Sequence, residues 1–269
     1  MDNHVEDTGA RLFTRQINDE LSAQPTLSLE GSNPQLVGTA FDYGFRWLHG
    51  PLEARSAVAG ASISKHFFGW KHAEELIQSV IHEGNVTMDL ETRAQCCVVL
   101  AWFEWIFRSG MFTPAFEPFV QKPNSSRTVQ EMCNTAPVPT VTDLMGLLRT
   151  VPGVWKADLG HAFIMNPTFL GSTLVGGADA DWITERTLYE CKCSLEKRPF
   201  GRRELLQGVG YLLLDFEDVY SIQSIGWYYA RQQTRLTYDI LAFIDKLFST
   251  ADLKELRQDF LRTIRAQAQ

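Results

Sequence analysis

The stretch GGADADWITERTLYECK, residues 176–192, carries the strongest fold signal in the chain. Two runs rich in strand-forming residues, 180–184 and 187–193, stand on either side of Glu185 and Arg186. Short strand-like runs separated by two polar residues are typical of a β-hairpin. The stretch therefore predicts a hairpin whose turn lies at Glu185 and Arg186.

Four ionisable residues of this hairpin are predicted to share one face. Counting outward from the turn sets Asp181 opposite Glu190 and Asp179 opposite Lys192. Side chains alternate between the two faces of a strand with a period of two, so all four point the same way. The turn has no Asn-Gly or Asp-Gly sequence, so the register is inferred from the pattern. A slip of one residue would turn Asp181 to the other face.

Three carboxylates and one ammonium group in so small an area predict a divalent metal site, because the carboxylates repel one another unless a cation joins them. Mg²⁺ prefers carboxylate, carbonyl and water oxygens. Asp181 and Glu190 are the expected ligands, with the Cys191 carbonyl completing the inner shell and Asp179 as a second ligand or outer-shell partner. Lys192 would position the nucleophilic water or stabilise a developing oxyanion on a phosphodiester. The same charges also occur as ordinary cross-strand pairs on an exposed hairpin, and this alternative stays open.

Hydrophobic periodicity predicts helices and strands along the rest of the chain. Helices are expected at residues 34–48, 65–83, 89–108, 141–149, 202–215, 237–248 and 252–265. Strands are expected at residues 161–165, 172–175, 180–184, 187–193 and 222–230. The segment 113–139 is rich in proline and polar residues, so we expect a connection or a surface excursion there.

The order of these elements predicts an α/β protein with a mixed central sheet flanked by helices. Residues 1–30 are polar and weakly periodic, and we expect an N-terminal arm or a short leading helix there. Residues 31–269 are expected to form a single domain. Within it we expect a helical part at 31–150, a core at 155–235 and closing helices at 236–269.

Composition narrows the class of protein. With 45% hydrophobic and 21% charged residues among 269, the chain is typical of a globular protein. Its formal net charge of −7 argues against a protein that coats nucleic acid non-specifically. Its five cysteines are an odd number without metal-ligand spacing, so neither a disulfide framework nor a zinc site is expected. No export signal or membrane span is expected, and the cytoplasm is the expected location.

One stretch is rich in positive charge, although the whole chain has a negative net charge. Lys197, Arg198, Arg202 and Arg203 follow the hairpin within a few residues and lead into a predicted helix. Phosphate contacts in nucleic-acid complexes come largely from such side chains, so these four are the expected nucleic-acid-binding residues. A solvated charge cluster is the alternative.

Three motifs follow one another along the chain: Asp181 within GGADAD, then Glu190-Cys-Lys192, then Gln207-Gly-Val-Gly-Tyr211 in the next predicted helix. This order and spacing resemble the PD-(D/E)XK nuclease superfamily in its RecB-like branch. The resemblance implies a restriction-endonuclease-like fold in which Asp181 and Glu190 bind Mg²⁺ or Mn²⁺ and Lys192 is catalytic. It also implies that Gln207 and Tyr211 lie on a helix that packs beside the site and contacts nucleic acid.

A fainter likeness concerns GTAFDY, residues 38–43. It is similar to the first motif of the same branch, a glycine followed four residues later by a metal-binding His. Asp42 stands at that position here and is either a further metal ligand or a helix-surface residue. The resemblance leaves open whether Asp179 or Asp181 is the main aspartate ligand.

The function implied by the resemblance is Mg²⁺- or Mn²⁺-dependent hydrolysis of nucleic-acid phosphodiester bonds, with DNA preferred over RNA. The alternative is a catalytically inactive nuclease-fold protein that binds DNA or a partner protein, as a component of a phage-defence or repair assembly. A homo-oligomer or a protein partner is compatible with either function.

Overall fold

The computed structural model describes residues 7–111, 128–158, 160–248 and 252–267. The fold is α/β, with a five-stranded mixed sheet and several helices. The chain divides into two compact units. We call residues 1–26 together with 153–269 the sheet unit and residues 27–152 the helical unit. One domain over residues 31–269 stays a prediction, and the described residues before 27 belong to the sheet unit.

The described residues of the helical unit form six helices, the last of which continues two residues beyond the unit. They are α2 (Pro34–His49), α3 (Arg55–Phe67), α4 (Ala73–Val86), α5 (Leu90–Ser109), α6 (Val129–Cys133) and α7 (Val138–Val154). The Asp89 side chain caps α5 by accepting from the backbone N–H of Thr92, and Gly110 ends it in a left-handed conformation. Both boundaries of α5 that the sequence predicted are therefore confirmed.

Hydrophobic periodicity did not predict most of helix α3. Its buried positions are occupied by small residues, among them Gly60, where an added Cβ would lie 1.8 Å from the Phe103 carbonyl oxygen on α5. Small residues that permit such a close approach carry little hydrophobic signal. The helix expected at 65–83 is interrupted between α3 and α4, where Gly69 has a positive φ of 68°.

The sheet unit contains the strands β1 (Phe163–Met165), β2 (Trp182–Thr184), β3 (Thr187–Lys192), β4 (Ser224–Tyr229) and β5 (Thr234–Asp239). They lie in the order β1-β2-β3-β4-β5, with β3 and β4 parallel and the other neighbours antiparallel. Its helices are α1 (Asp7–Ser22), α8 (Arg202–Leu214), α9 (Ile240–Phe248) and α10 (Leu253–Gln267).

The turn of the β2–β3 hairpin lies where the sequence predicted it. Thr184 pairs with Thr187, and the two residues between them, Glu185 and Arg186, have φ values of 45° and 59°. Positive φ at both central residues characterises the tight turns that match strand twist. Here the turn forms without the glycine or asparagine that usually occupies such positions.

Two segments differ from their sequence prediction. Residues 172–175 form a 3₁₀ turn instead of a strand, because the Ser172 hydroxyl accepts from the Phe169 N–H and donates to the Ala178 carbonyl. Residues 234–239 form β5, so the helix expected from 237 begins at Ile240. In the predicted connection 113–139, residues 113–127 lie outside the described part of the chain, and α6 begins at Val129.

Of the two structures expected for the N-terminal segment, an arm or a short leading helix, the chain forms the helix, and this helix is amphipathic. In α1, Phe13, Ile17 and Leu21 recur every four residues and are buried in the core of the sheet unit. That core also contains the apolar side of α8 and the face of the sheet that bears Leu188. Among the described helices, none has both the length and the apolar character required to span a membrane.

Candidate metal centre

The centre of the site is a hydrogen-bonded cluster on the face of β3 that bears Leu188. Glu190 is 7% exposed, and its Oε1 lies 2.9 Å from the Nζ of Lys192. Lys192 and Glu190 are two residues apart, so they project from the same face of the strand. The Lys192 side chain is 24% exposed and therefore lies where the buried carboxylate meets solvent.

Helix α8 supplies the second half of the cluster. The Gln207 amide accepts from Lys192 Nζ at 2.9 Å and donates to Glu190 Oε1 at 2.9 Å. The same amide nitrogen lies 2.8 Å from the Tyr211 hydroxyl. One amide thus orients both charged groups of β3, and the ring of Tyr211 stacks on Phe169 at a centroid distance of 5.7 Å.

Gly208 brings α8 close enough for these contacts. A Cβ at this position would lie 2.7 Å from Ile225 Cδ1 and 2.9 Å from Trp227 Cζ2, both on β4. Such separations are too short for an unstrained Cβ, so a larger residue here would require Ile225 and Trp227 to shift. Gly208 thereby allows α8 to lie close enough to the sheet for Gln207 to contact Glu190.

Asp181 lies immediately before β2 and contacts the edge of β3 that pairs with β2. Its Oδ2 accepts from the backbone N–H of Cys191 at 2.5 Å. The N–H and C=O of one strand residue point to the same edge, so the Cys191 carbonyl is directed toward Asp181. The carbonyl of the next residue, Lys192, accepts from Ala230 at the opposite edge, as this alternation requires.

The electrostatics of the cluster favour an added positive charge. Burial, and then the negative charge of Asp181, raise the pKa of Glu190 to about 8, while Lys192 opposes the shift. Burial and the Glu190 charge also raise the pKa of Tyr211. Within the described residues, Glu190 Oε2 is buried and has no hydrogen-bond partner. Two carboxylates and a backbone carbonyl are oxygen donors that suit a hard cation such as Mg²⁺ or Mn²⁺.

Asp179 and Asp42 are the two other side chains predicted as metal ligands. Asp179 is exposed and forms a β-bridge with Thr168 on the β1 side of the strand, and its position opposite Lys192 stays a prediction. Asp42 belongs to the helical unit, where it forms an ion pair with Arg46 one turn along α2. In the parts of the chain that the structure describes, no group of three His, Cys, Asp or Glu side chains is arranged to hold a metal ion.

The predicted basic cluster follows β3 and enters α8. Lys197, Arg198, Arg202 and Arg203 are all exposed. Arg198 forms an ion pair of 2.9 Å with Asp19 of α1. For Lys197 and Arg203, no acidic partner is found among the described residues. These two cations are consequently the ones most accessible to a phosphate.

The structure adds two residues that the sequence did not indicate, Asn18 and Gln232. Both are buried, and both donate to backbone carbonyls of the connection between β3 and α8. The apolar spacing of α1 was a signal for a packed helix around Asn18. No local pattern marked the partners of either amide, because those partners are distant in sequence.

Comparisons of the chain with protein-family models, with curated proteins and with solved structures found no match. The interpretation of the site therefore depends on its geometry and on the order of its motifs.

Proposed function

We propose that this protein is a metal-dependent nuclease with a restriction-endonuclease-like core, acting on nucleic-acid phosphodiester bonds with DNA preferred. The observation that carries the proposal is the buried Glu190 carboxylate. The negative charge of Asp181 repels this carboxylate. Its Oε1 is hydrogen-bonded to Lys192 and Gln207, whereas its Oε2 has no hydrogen-bond partner among the described residues. A buried carboxylate in such surroundings destabilises the fold unless a cation compensates it.

Asp181, Glu190 and the Cys191 carbonyl would hold Mg²⁺ or Mn²⁺. Bound there, the ion would lower the pKa of a water molecule and neutralise charge on the phosphodiester. Lys192 is the group that orients the attacking water or stabilises negative charge on the phosphoryl oxygens. Gln207 keeps the Lys192 ammonium within reach of that position by accepting one of its hydrogen bonds.

The direct test compares wild-type protein with Lys192→Ala and Glu190→Gln. Circular single-stranded DNA, supercoiled double-stranded DNA and a matched RNA are incubated with Mg²⁺, Mn²⁺ or EDTA. We expect cleavage that requires the metal and falls at least about 100-fold in both variants, as the loss of such electrostatic groups usually costs. Lys254→Ala, at an exposed lysine of α10, is the matched control and should cleave like wild type. Retained cleavage in both site variants would reject the assignment.

A second candidate is a nuclease-fold protein that binds DNA or a partner protein without cleaving. It is favoured by the absence of a third His, Cys, Asp or Glu ligand among the described residues. Calorimetry with Mn²⁺ separates the two candidates. Heat of binding that is lost in Asp181→Asn supports the nuclease, whereas no binding at millimolar Mn²⁺ supports the non-catalytic function.

A further inference from the structure

We propose that Asn18 and Gln232 are positioning residues that hold the connection between β3 and α8 as a preformed phosphate-binding platform. This inference rests on the proposed function, because the phosphates in question belong to its nucleic-acid substrate. The connection, residues 193–201, has no regular secondary structure, yet it carries Lys197 and Arg198 directly after the catalytic strand. What holds it in place therefore determines where its cations lie.

Gln232 fixes the first half of the connection. Its side chain is 2% exposed, and its amide nitrogen lies 3.2 Å from the Ser194 carbonyl oxygen and 3.3 Å from the Glu196 carbonyl oxygen. Gln232 follows β4, which pairs in parallel with β3. Gln232 is thus held by β4, the strand next to Lys192, and its amide holds the segment that follows β3.

Asn18 fixes the second half. Its amide nitrogen donates to the Phe200 carbonyl at 2.7 Å, and its amide oxygen accepts from the Phe200 N–H at 3.0 Å. This reciprocal pair imitates the pairing of a neighbouring strand, and Asn18 is itself 6% exposed. The Phe200 ring packs edge-on against Phe13 of the same helix and against Trp227. Phe200, at the end of the connection, is consequently part of the core of the sheet unit.

These anchors hold the connection from two separate elements while its cationic side chains stay in solvent. Lys197 and Arg198 lie between the two anchored points, and Arg198 is further oriented by Asp19. A loop that is already ordered loses less conformational entropy when it binds a ligand. Releasing either anchor should therefore weaken substrate binding much more than it slows the chemical step at Lys192.

The test uses the full chain with Gln232→Leu and Asn18→Leu, which keep the approximate volume and remove the hydrogen bonds. We expect KM for DNA to rise about tenfold, kcat to stay within about twofold, and Mn²⁺ affinity to stay unchanged. Binding of a labelled single-stranded oligonucleotide in EDTA should weaken by a similar factor, and its salt dependence should become less steep. Asn18→Asp, which keeps the acceptor for the Phe200 N–H, should recover part of the affinity. Gln16→Leu, at an exposed position of α1, is the control and should match wild type.

An unchanged KM and oligonucleotide affinity in folded Gln232→Leu and Asn18→Leu would overturn the inference, as would a fall in kcat with KM unchanged. Failure of the proposed function gives a different result. If wild type binds the oligonucleotide but cleaves nothing, only the catalytic proposal fails, and the variants still test the platform in EDTA. If wild type does not bind the oligonucleotide, the platform proposal is rejected.

Discussion

Glu190 combines deep burial with a carboxyl group whose pKa is raised to about 8 from an ordinary 4.5. Burial is the first cause and the charge of Asp181 the second, while Lys192 lowers the pKa. A carboxyl with a higher pKa in the folded state binds more protons when folded. The free energy of unfolding of the metal-free protein should therefore fall as pH rises from about 4.5 to about 8.

We predict that Glu190→Gln removes this dependence on pH. In EDTA, the wild-type stability should fall relative to the variant by on the order of 3 kcal/mol between pH 5 and pH 9. Urea unfolding at a series of pH values measures the difference. Parallel curves for the two proteins would contradict the electrostatic description of the site.

Asp181→Asn should separate stability from metal binding. Asparagine can still accept from the Cys191 N–H, while the repulsion of Glu190 disappears. We expect the metal-free variant to be more stable by roughly 1 kcal/mol, which is about 2–4 °C in Tm for a chain of this size. We expect Mn²⁺ to raise the Tm of wild type, and this rise should be lost in Asp181→Asn.

Asp179→Asn is the matched comparison, because Asp179 is exposed and belongs to a bridge with Thr168. It should leave the metal-free Tm unchanged and retain most of the response to Mn²⁺. A response lost in Asp179→Asn and kept in Asp181→Asn would make Asp179 the main ligand.

At the scale of elements, the contact between α8 and β4 depends on one glycine of the Gln207–Tyr211 motif. An added methyl group at Gly208 meets Ile225 and Trp227, whereas nothing lies within 4 Å of a Cβ at Gly210. We predict that Gly208→Ala destabilises the protein by about 1–3 kcal/mol through overpacking. Gly210→Ala, on the same helix, should stabilise it by about 0.5–1 kcal/mol through helix propensity.

Denaturant unfolding of the two alanine variants provides the measurement, and DNA cleavage adds a second readout. Displacement of α8 in Gly208→Ala should also separate Gln207 from Glu190 and reduce cleavage. If both alanine variants stabilise the protein and cleave normally, the close approach of helix and sheet is not required.

The hairpin illustrates what local pattern can predict. The turn at Glu185 and Arg186 and the alternation of the strands follow from neighbouring residues, so the positions of Asp181 and Glu190 on one face could be predicted. Asp179 forms a bridge with Thr168 on the other edge of the same strand, and this bridge continues the register of the β1–β2 pairing.

At the scale of the whole molecule, the sheet unit is assembled from two separate parts of the chain. Helix α1 lies more than 130 residues before β1 in sequence, yet it contributes Phe13, Ile17 and Leu21 to the core. We predict that Phe13→Ala costs about 3–5 kcal/mol of stability, as the truncation of a buried aromatic side chain does. Leu12→Ala, at a neighbouring side chain that is 63% exposed, should stay within about 0.5 kcal/mol of wild type. Equal effects on Tm would show that α1 is not part of the core.

The sequence by itself determined the features that depend on residues close together in the chain. These include the α/β class, the hairpin turn, the approximate bounds of α5, and the order of Glu190 and Lys192 on one strand face. Local hydrogen bonds and side-chain alternation act over a few residues, so a linear pattern records them. Only the tertiary structure decided the features in which distant segments meet. Gln207 contacts Glu190, α1 packs in the core, and Asn18 is hydrogen-bonded to Phe200. Each of these contacts joins parts of the chain that are distant in sequence, so no local pattern predicts them.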